Sequence, residues 1–337
     1  MPPTAPPDPI APEGVAAPSG RWKVVVRILV SAIVLTILVL KTPHFGDVLP
    51  HHDHGRTVLL LTVALLLIFS GIVLQAWRWQ QVLNAFGRHV GIVRLTAYTL
   101  AGQFVGNVLP STIGGDVVRI SRVGATIDST ETAFASVAIE RLTGFIALPA
   151  LVLVGFVVHP SLFHTRHAPL ALVIAAVTLG ALGLILAAAA HRRLAGRFAE
   201  NQSWTRFIGA VHVGVDRLRR YPRQALGVIG TSFAYQISVI VAIVCIVRTL
   251  ELPVPTGAVI AFVPAVAMAQ AVPISIGGLG VREGMLVLFL HPFGVRNAQA
   301  IAVGLLWYAG VLIVSMIGAP AFAVGKRRPP VVAGRAS

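Results

Sequence analysis

The chain has 337 residues, 56% of them hydrophobic and only 12% charged, with a formal net charge of +15. An ordinary soluble domain carries roughly 25% charged residues, and a chain this long could not cover a water-facing surface with so few, so a soluble enzyme or binding domain is excluded. The positive balance does not indicate nucleic acid, because the basic residues lie between apolar blocks and form no basic stripe interleaved with aromatics.

In chain order, residues 1–20 hold seven prolines and almost no large apolar side chains, so 1–23 is expected to be a disordered cytoplasmic tail. The apolar run 24–41 follows Arg21, Trp22 and Lys23 and lacks a small-residue cleavage site, which reads as a retained first span rather than a removed signal. Arg27 lies near enough to its inner end to snorkel. Further spans are expected over 57–76, 132–158, 169–190, 225–247 and 297–325, each at least the roughly 20 residues that cross a hydrocarbon core about 30 Å thick. Two other apolar stretches, 95–123 and 258–291, are broken by Pro and Gly-Gly. The single cysteine, Cys245, falls inside an apolar run and excludes an internal disulfide.

Loop charges set the orientation. Segment 191–224 carries eight arginines (192, 193, 197, 206, 217, 219, 220 and 223) against Glu200 and Asp216. It is expected on the cytoplasmic side, partly as an amphipathic interfacial helix with Trp204 and Phe207 on its apolar face. Arg78, Arg88 and Arg94 mark a second inner loop bordered by Trp77 and Trp79, and Lys326, Arg327 and Arg328 place the tail 326–337 inside. The His-rich loops 42–56 and 159–168 then fall outside.

An internal repeat follows. Pro110-Ser111-Thr112-Ile113-Gly114-Gly115-Asp116-Val117-Val118-Arg119 aligns with Pro273-Ile274-Ser275-Ile276-Gly277-Gly278-Leu279-Gly280-Val281-Arg282 at an offset of 163 residues, identical in six of ten columns. The hydropathy pattern superposes at the same offset. Loop charges stay in register only if 95–123 dips in from the cytoplasm and returns, while 258–291 dips in from outside. The expected fold is all-α: a single domain over 24–325, with six spans and two re-entrant hairpins, as inverted repeats over about 57–158 and 225–325. Eight conventional spans are the alternative.

Proline lacks the amide hydrogen and glycine reaches angles other residues avoid, so each Pro/Gly-Gly motif ends a helix and turns the chain. Such irregular backbone persists at membrane depth only where it is buried in protein or lines a wet cavity. Freed amides at a half-helix start attract anions, and Arg119 and Arg282, one turn beyond each pair, add a forked cation suited to phosphate. Gly114, Gly115, Gly277 and Gly278 complete that candidate site. Arg27, Asp116, Arg119, Glu140, Arg141, Arg282 and Glu283 are the ionisable residues within apolar stretches, where a central charge costs about 2.5–3.5 kcal/mol on insertion scales. Asp116, Glu140, Arg141 and Glu283 either partner the arginines at a headgroup site or simply clasp the hairpins. For the arginines themselves, symmetry and the glycine pairs favour binding. His51, His52, Asp53 and His54 with His159, His164 and His167 have no diagnostic metal spacing, and no Ser-His-Asp, Walker or dinucleotide signature is present. Neither metal nor cofactor is expected, nor catalysis.

Three motifs, Pro-x-x-Ile-Gly-Gly-Asp-x-x-Arg at 110–119, Ser136-Val137-Ala138-Ile139-Glu140-Arg141-Leu142-Thr143-Gly144, and Pro273 through Gly284, resemble the flippase-like family named after the transmembrane region of lysylphosphatidylglycerol synthase. The resemblance spans about 24–325. It implies movement of an anionic or prenyl-linked lipid between leaflets without ATP hydrolysis, in a bacterial inner membrane with both termini cytoplasmic. Bifunctional members add a soluble aminoacyl-transferase domain; here eleven residues follow Lys326, so lysyl transfer is not expected. A membrane subunit that docks a lipid-modifying enzyme through 191–224, and a small-anion transporter, are the other readings.

Overall fold

The computed structural model describes residues 54–108, 114–190, 204–271 and 278–320. The expected span 24–41, both tails and Gly277 lie outside the described residues. Every regular element among those described is helical: α1 (His54–Ala85), α2 (Ile92–Val108), α3 (Gly114–Ile127), α4 (Thr130–Val158), α5 (Ala168–Ala190), α6 (Trp204–Arg220), α7 (Pro222–Thr249), α8 (Thr256–Gln270), α9 (Val281–Leu290) and α10 (Asn297–Met316), with short 3₁₀ turns at Pro160–His164 and His291–Phe293.

Five of these, α1, α4, α5, α7 and α10, are long and apolar enough to cross a bilayer. Their outward faces are apolar too: Val58, Leu59 and Leu66 on α1 and Val173, Val177 and Leu184 on α5 are exposed, as lipid contact requires and water contact would not tolerate at this density. The protein is therefore a polytopic helical membrane protein. The long helices α1 and α7 make the most extensive pairing. Where they touch, Ser238 Oγ donates to the Leu67 carbonyl at 2.7 Å and lies 2.9 Å from Ser70 Oγ, polar contacts of the kind that join helices in hydrocarbon.

Between the long helices the chain repeats one rhythm. Long α1, short α2 and α3, then long α4 are followed, after α5 and α6, by long α7, short α8 and α9, then long α10. The short helices have 17, 14, 15 and 10 residues, about 26, 21, 23 and 15 Å at 1.5 Å per residue, each below the thickness of a hydrocarbon core.

Packing shows which ends of each short pair lie together and what they lie against. Leu83 near the end of α1, Val90 and Leu95 around the start of α2, Val123 and Ile127 at the end of α3, and Ala133 at the start of α4 form one buried cluster. Gln80 donates to the Val90 carbonyl at 2.8 Å, and the Tyr98 and Thr126 hydroxyls lie 3.0 Å apart. The α2–α3 pair thus has one mouth, at the start of α4. In the second pair, Phe262 of α8 stacks on Phe289 of α9 with ring centroids 4.6 Å apart. The start of that pair lies against the other end of α4, where a Cβ on Gly155 would overlap the Ala261 backbone and one on Gly257 would overlap His159. Ala133 and Gly155 are about 33 Å apart along a helix that rises 1.5 Å per residue. The two mouths therefore sit at opposite ends of α4, a hydrocarbon thickness apart.

One expectation needs correction. The span expected to stop at residue 76 continues to Ala85, because Trp79, Val82, Leu83 and Ala85 carry its buried face onward. Arg78 and Trp79 are consequently interior residues rather than inner-loop and belt residues; Trp77 alone of the three is exposed. The amphipathic helix exists as α6, and part of its apolar face is docked on protein. Val211 is fully buried with Ile139 of α4, Val82 of α1 and Val228 of α7, and Gly214 abuts Ile139. Asp216, Arg217, Arg219 and Arg220 face outward. The side chains of Trp204 and Phe207 lie outside the described residues.

Candidate functional site: a polar cavity where the short helix pairs meet

The two short pairs converge at their tips. A cavity of about 280 Å³ lies there, lined by Gly106 and Asn107 from the end of α2, Gly115 and Asp116 from the start of α3, and Gln270, Ala271 and Gly278 from the turn between α8 and α9. Gln75 of α1, Thr99, Gly102 and Gln103 of α2, Arg119 of α3 and Arg141 of α4 complete the wall.

Glycine makes the convergence sterically accessible. Gly102-x-x-x-Gly106 on α2 faces Gly115 on α3 so closely that a Cβ on Gly102 would lie 2.8 Å from the Gly115 carbonyl oxygen and 2.8 Å from Arg119 Cγ. Small residues at four-residue spacing let membrane helices approach at backbone distance. At the opposite tip Gly278 has φ +75°, where a side chain is strained, and its missing Cβ leaves room for the Gln270 amide.

Glu140 organises the charges beside the cavity. Its side chain is fully buried, and its Oε1 accepts from Arg78 Nε at 3.0 Å and from Arg78 Nη2, while its Oε2 accepts from both terminal nitrogens of Arg119 at 3.1 Å. The Arg119 guanidinium also lies 4.3 Å from the Trp79 ring, and Trp79 is held by donating to Ser136 Oγ at 2.9 Å. Arg78 fits because Gly144 has no side chain: a Cβ there would stand 2.9 Å from Arg78 Nη1. Asp116, in the first turn of α3 where the helix dipole favours a carboxylate, holds Arg141 Nε at 2.6 Å and stands 3.6 Å from Arg119 Nη1. Arg141 is half exposed, so the chain Arg78–Glu140–Arg119–Asp116–Arg141 runs from the interior to the rim.

The candidate residues therefore divide. Arg119, Gly115, Asp116, Arg141 and Gly278 line the cavity, and Glu140 supports them from behind. Gly114 begins α3 next to this wall. Arg282 does not share the cavity. It is buried, its Nε and Nη2 donating to Glu283 Oε1 at 3.0 and 2.8 Å, with its guanidinium 4.9 Å from the Tyr308 ring. Glu283 Oε2 in turn accepts the Gly280 amide at 2.6 Å, and Gly304 of α10 makes room for it. Arg119 therefore lines the cavity and Arg282 does not; Arg282 is held by Glu283 on its own helix and lies against the Tyr308 ring of α10. Among the described residues no three His, Cys, Asp or Glu side chains converge as metal ligands, and His51 and His52 lie outside them.

Sequence reading missed Arg78, Gln75, Thr99, Gln103, Asn107 and Gln270. The Gly102/Gly106 spacing and the Gln75/Arg78 spacing on one helical face were available signals; neutral amides carry no signal of their own until their neighbours are known.

The description Lysylphosphatidylglycerol synthase TM region belongs to a family model that matches residues 24–318. No curated protein matches the chain.

Proposed function

Because the chain belongs to the Lysylphosphatidylglycerol synthase TM region family, and so to a membrane region associated with lipid metabolism, we propose that it translocates a phosphate-bearing lipid between leaflets. One observation carries the reading: at the meeting of two short helix pairs, a cavity holds the Arg119 cation and has four buried polar atoms without a partner, Gln75 Oε1, Thr99 Oγ1, Asn107 Nδ2 and Arg119 Nε. Buried polar atoms are nearly always paired in a finished interior, and these four, each with almost no accessible surface, cluster just behind one wall of the cavity, which supports a site for something polar there. Half-helices ending at such a site are a transporter device.

The route follows from the mouths at opposite ends of α4. A headgroup entering by either mouth reaches the same tips, while acyl chains remain against the apolar outer helices. Arg119 takes the phosphate in this arrangement. Glu140 and Asp116 keep its guanidinium neutralised when the cavity is empty, since a lone buried charge is strongly disfavoured. The Arg282–Glu283 pair holds α9 rigid against α10 as the second tip rocks. Chemistry on the lipid is no part of the reading.

In proteoliposomes carrying a fluorescent anionic phospholipid, Arg119→Ala slows leaflet exchange by about tenfold or more, the loss of one charge-assisted contact. Unchanged exchange by an Arg119→Ala protein with a normal unfolding temperature ends the proposal.

The orientation is tested separately. In a Cys245→Ser background, cysteines at Arg88 and Asp128, beside the first mouth, react with an impermeant thiol reagent only from the cytoplasm. Cysteines at Glu251 and Arg296, beside the second, react only from outside. Labelling of all four from one compartment rules out mouths on opposite membrane faces.

A further inference from the structure

Helix α6 ends at Arg220, Tyr221 turns the chain, and α7 begins at Pro222. We propose that this corner, apart from the cavity, binds an anionic phospholipid of the surrounding bilayer. Arg219, Arg220 and Arg223 take the phosphate, and the first turns of α7 take an acyl chain. Such a site requires only a chain that crosses a bilayer, so it is independent of the translocase reading.

The charge is lopsided. Arg217, Arg219, Arg220 and Arg223 are all exposed, and Asp216 is the one acidic residue between positions 213 and 229. Asp216 accepts from Arg220 Nη2 at 2.9 Å, but the two side chains are 49% and 70% exposed. An ion pair so open to its surroundings is weak and leaves Arg220 available. The stretch therefore carries a net charge of +3, on guanidinium groups whose forked donors match phosphate oxygens.

What continues from these arginines is apolar. Leu226, Ile229, Ile237 and Val241 are exposed and share one face of α7, and Arg223 heads that stripe one turn before Leu226. With 28 residues α7 is about 42 Å long, so when centred on a core about 30 Å thick it projects about 6 Å at each end. Leu226 then stands where hydrocarbon begins, and Arg223 stands among headgroups. Tyr221, also exposed, has the place of an interfacial aromatic. Helix α6 keeps the same level: Val211 packs on Val82, Ile139 and Val228, beside Ile185, each within ten residues of that end of its helix. A soluble acidic partner would meet the arginines and leave the apolar stripe uncovered. An anionic phospholipid matches both, and its phosphate holds the outer side of α6 against the bundle.

The test uses the full chain with Cys245→Ser in phosphatidylcholine vesicles. A bimane fluorophore is attached at Leu226→Cys or, for reference, at Val173→Cys, an exposed position toward the far end of α5. Quenching by a small fraction of acyl-chain spin-labelled phosphatidylglycerol or phosphatidylcholine reads the relative affinity of the two lipids at each position. Phosphatidylglycerol is expected to be favoured about tenfold or more at Leu226→Cys, since one surface arginine is worth about fivefold, and not at Val173→Cys. The preference shrinks at high salt, because exposed charges are screened. Arg219→Gln/Arg220→Gln/Arg223→Gln removes it, and the corresponding lysine triple keeps most of it; undiminished quenching at Val173→Cys reports that both are folded in the bilayer. Equal quenching by the two lipids at Leu226→Cys, or a preference that survives the glutamine triple, overturns the proposal. So does a Leu226→Cys fluorophore that neither lipid quenches, the mark of a surface covered by protein. Inorganic phosphate that erases the preference at matched ionic strength assigns the arginines to a soluble anion and overturns the lipid; no effect of phosphate supports it.

Discussion

Glu140→Ala lowers the stability of the detergent-solubilised protein by about 3–5 kcal/mol, the cost of removing one partner from a buried ion pair. Among the described residues, Glu140 is the acceptor that Arg78 and Arg119 share, using one carboxylate oxygen for each. Without it Arg78, which is 4% exposed, keeps only a long contact of 3.5 Å to Ser232 Oγ and the face of Tyr235. Arg119 keeps the distant Asp116 oxygen and the Trp79 ring. The one carboxylate left, Asp116, stands 3.6 Å from Arg119 and is shared with Arg141, so it offsets that guanidinium only in part and leaves Arg78 without a counter-charge. Glu140→Gln preserves shape and one acceptor but not the charge, so it recovers only part of the loss. Arg78→Leu is milder, since Glu140 then still holds Arg119. The measurement is the unfolding temperature or denaturant midpoint of the three variants. A Glu140→Ala protein within about 0.5 kcal/mol of the parent, the range of an ordinary surface change, disproves the organising role.

Under the proposed translocase reading Gly115→Val abolishes leaflet exchange, and under any reading it destabilises the protein by about 1–3 kcal/mol, the usual penalty of overpacking. A Cβ at 115 runs into the backbone carbonyl of Gly102, and a backbone atom cannot turn aside as a flexible side chain can. The helices must separate, which moves Arg119 and Asp116 relative to the second tip. Gly180→Ala and Gly183→Ala on α5 are the controls: nothing lies within 4 Å of either added Cβ, and alanine favours a helix interior over glycine by about 1 kcal/mol. Both should leave exchange and stability intact or slightly improved. Full exchange by Gly115→Val would show that the backbone-distance contact between α2 and α3 is dispensable.

Much of the architecture was legible because its causes are local. A block of apolar residues spans a bilayer whatever its neighbours are, so the starts of α1, α4, α5, α7 and α10 fall within three residues of the expected spans. Proline and paired glycines break a helix by their own backbone chemistry, which is why the broken stretches became α2–α3 and α8–α9. The family motifs at 110–119, 136–144 and 273–284 were likewise readable as strings.

What each buried charge does was not legible, because it depends on helix rotation and on the partner across the interface. Arg119 and Arg282 occupy matching places in two similar motifs, yet Arg119 has Glu140 from another helix and faces the cavity, whereas Arg282 has Glu283 beside it and is consumed there. Arg78 looked like a loop charge because a charge ends a hydropathy block; only the packing of α1 against α4 and α7 turned it inward. Thr99 and Gln75 are ordinary polar residues until three other helices are placed around them. Composition and backbone chemistry determined that this chain crosses a membrane and where it breaks; tertiary packing decided which polar atoms remain unpaired, since pairing is a property of two surfaces and is written in neither alone.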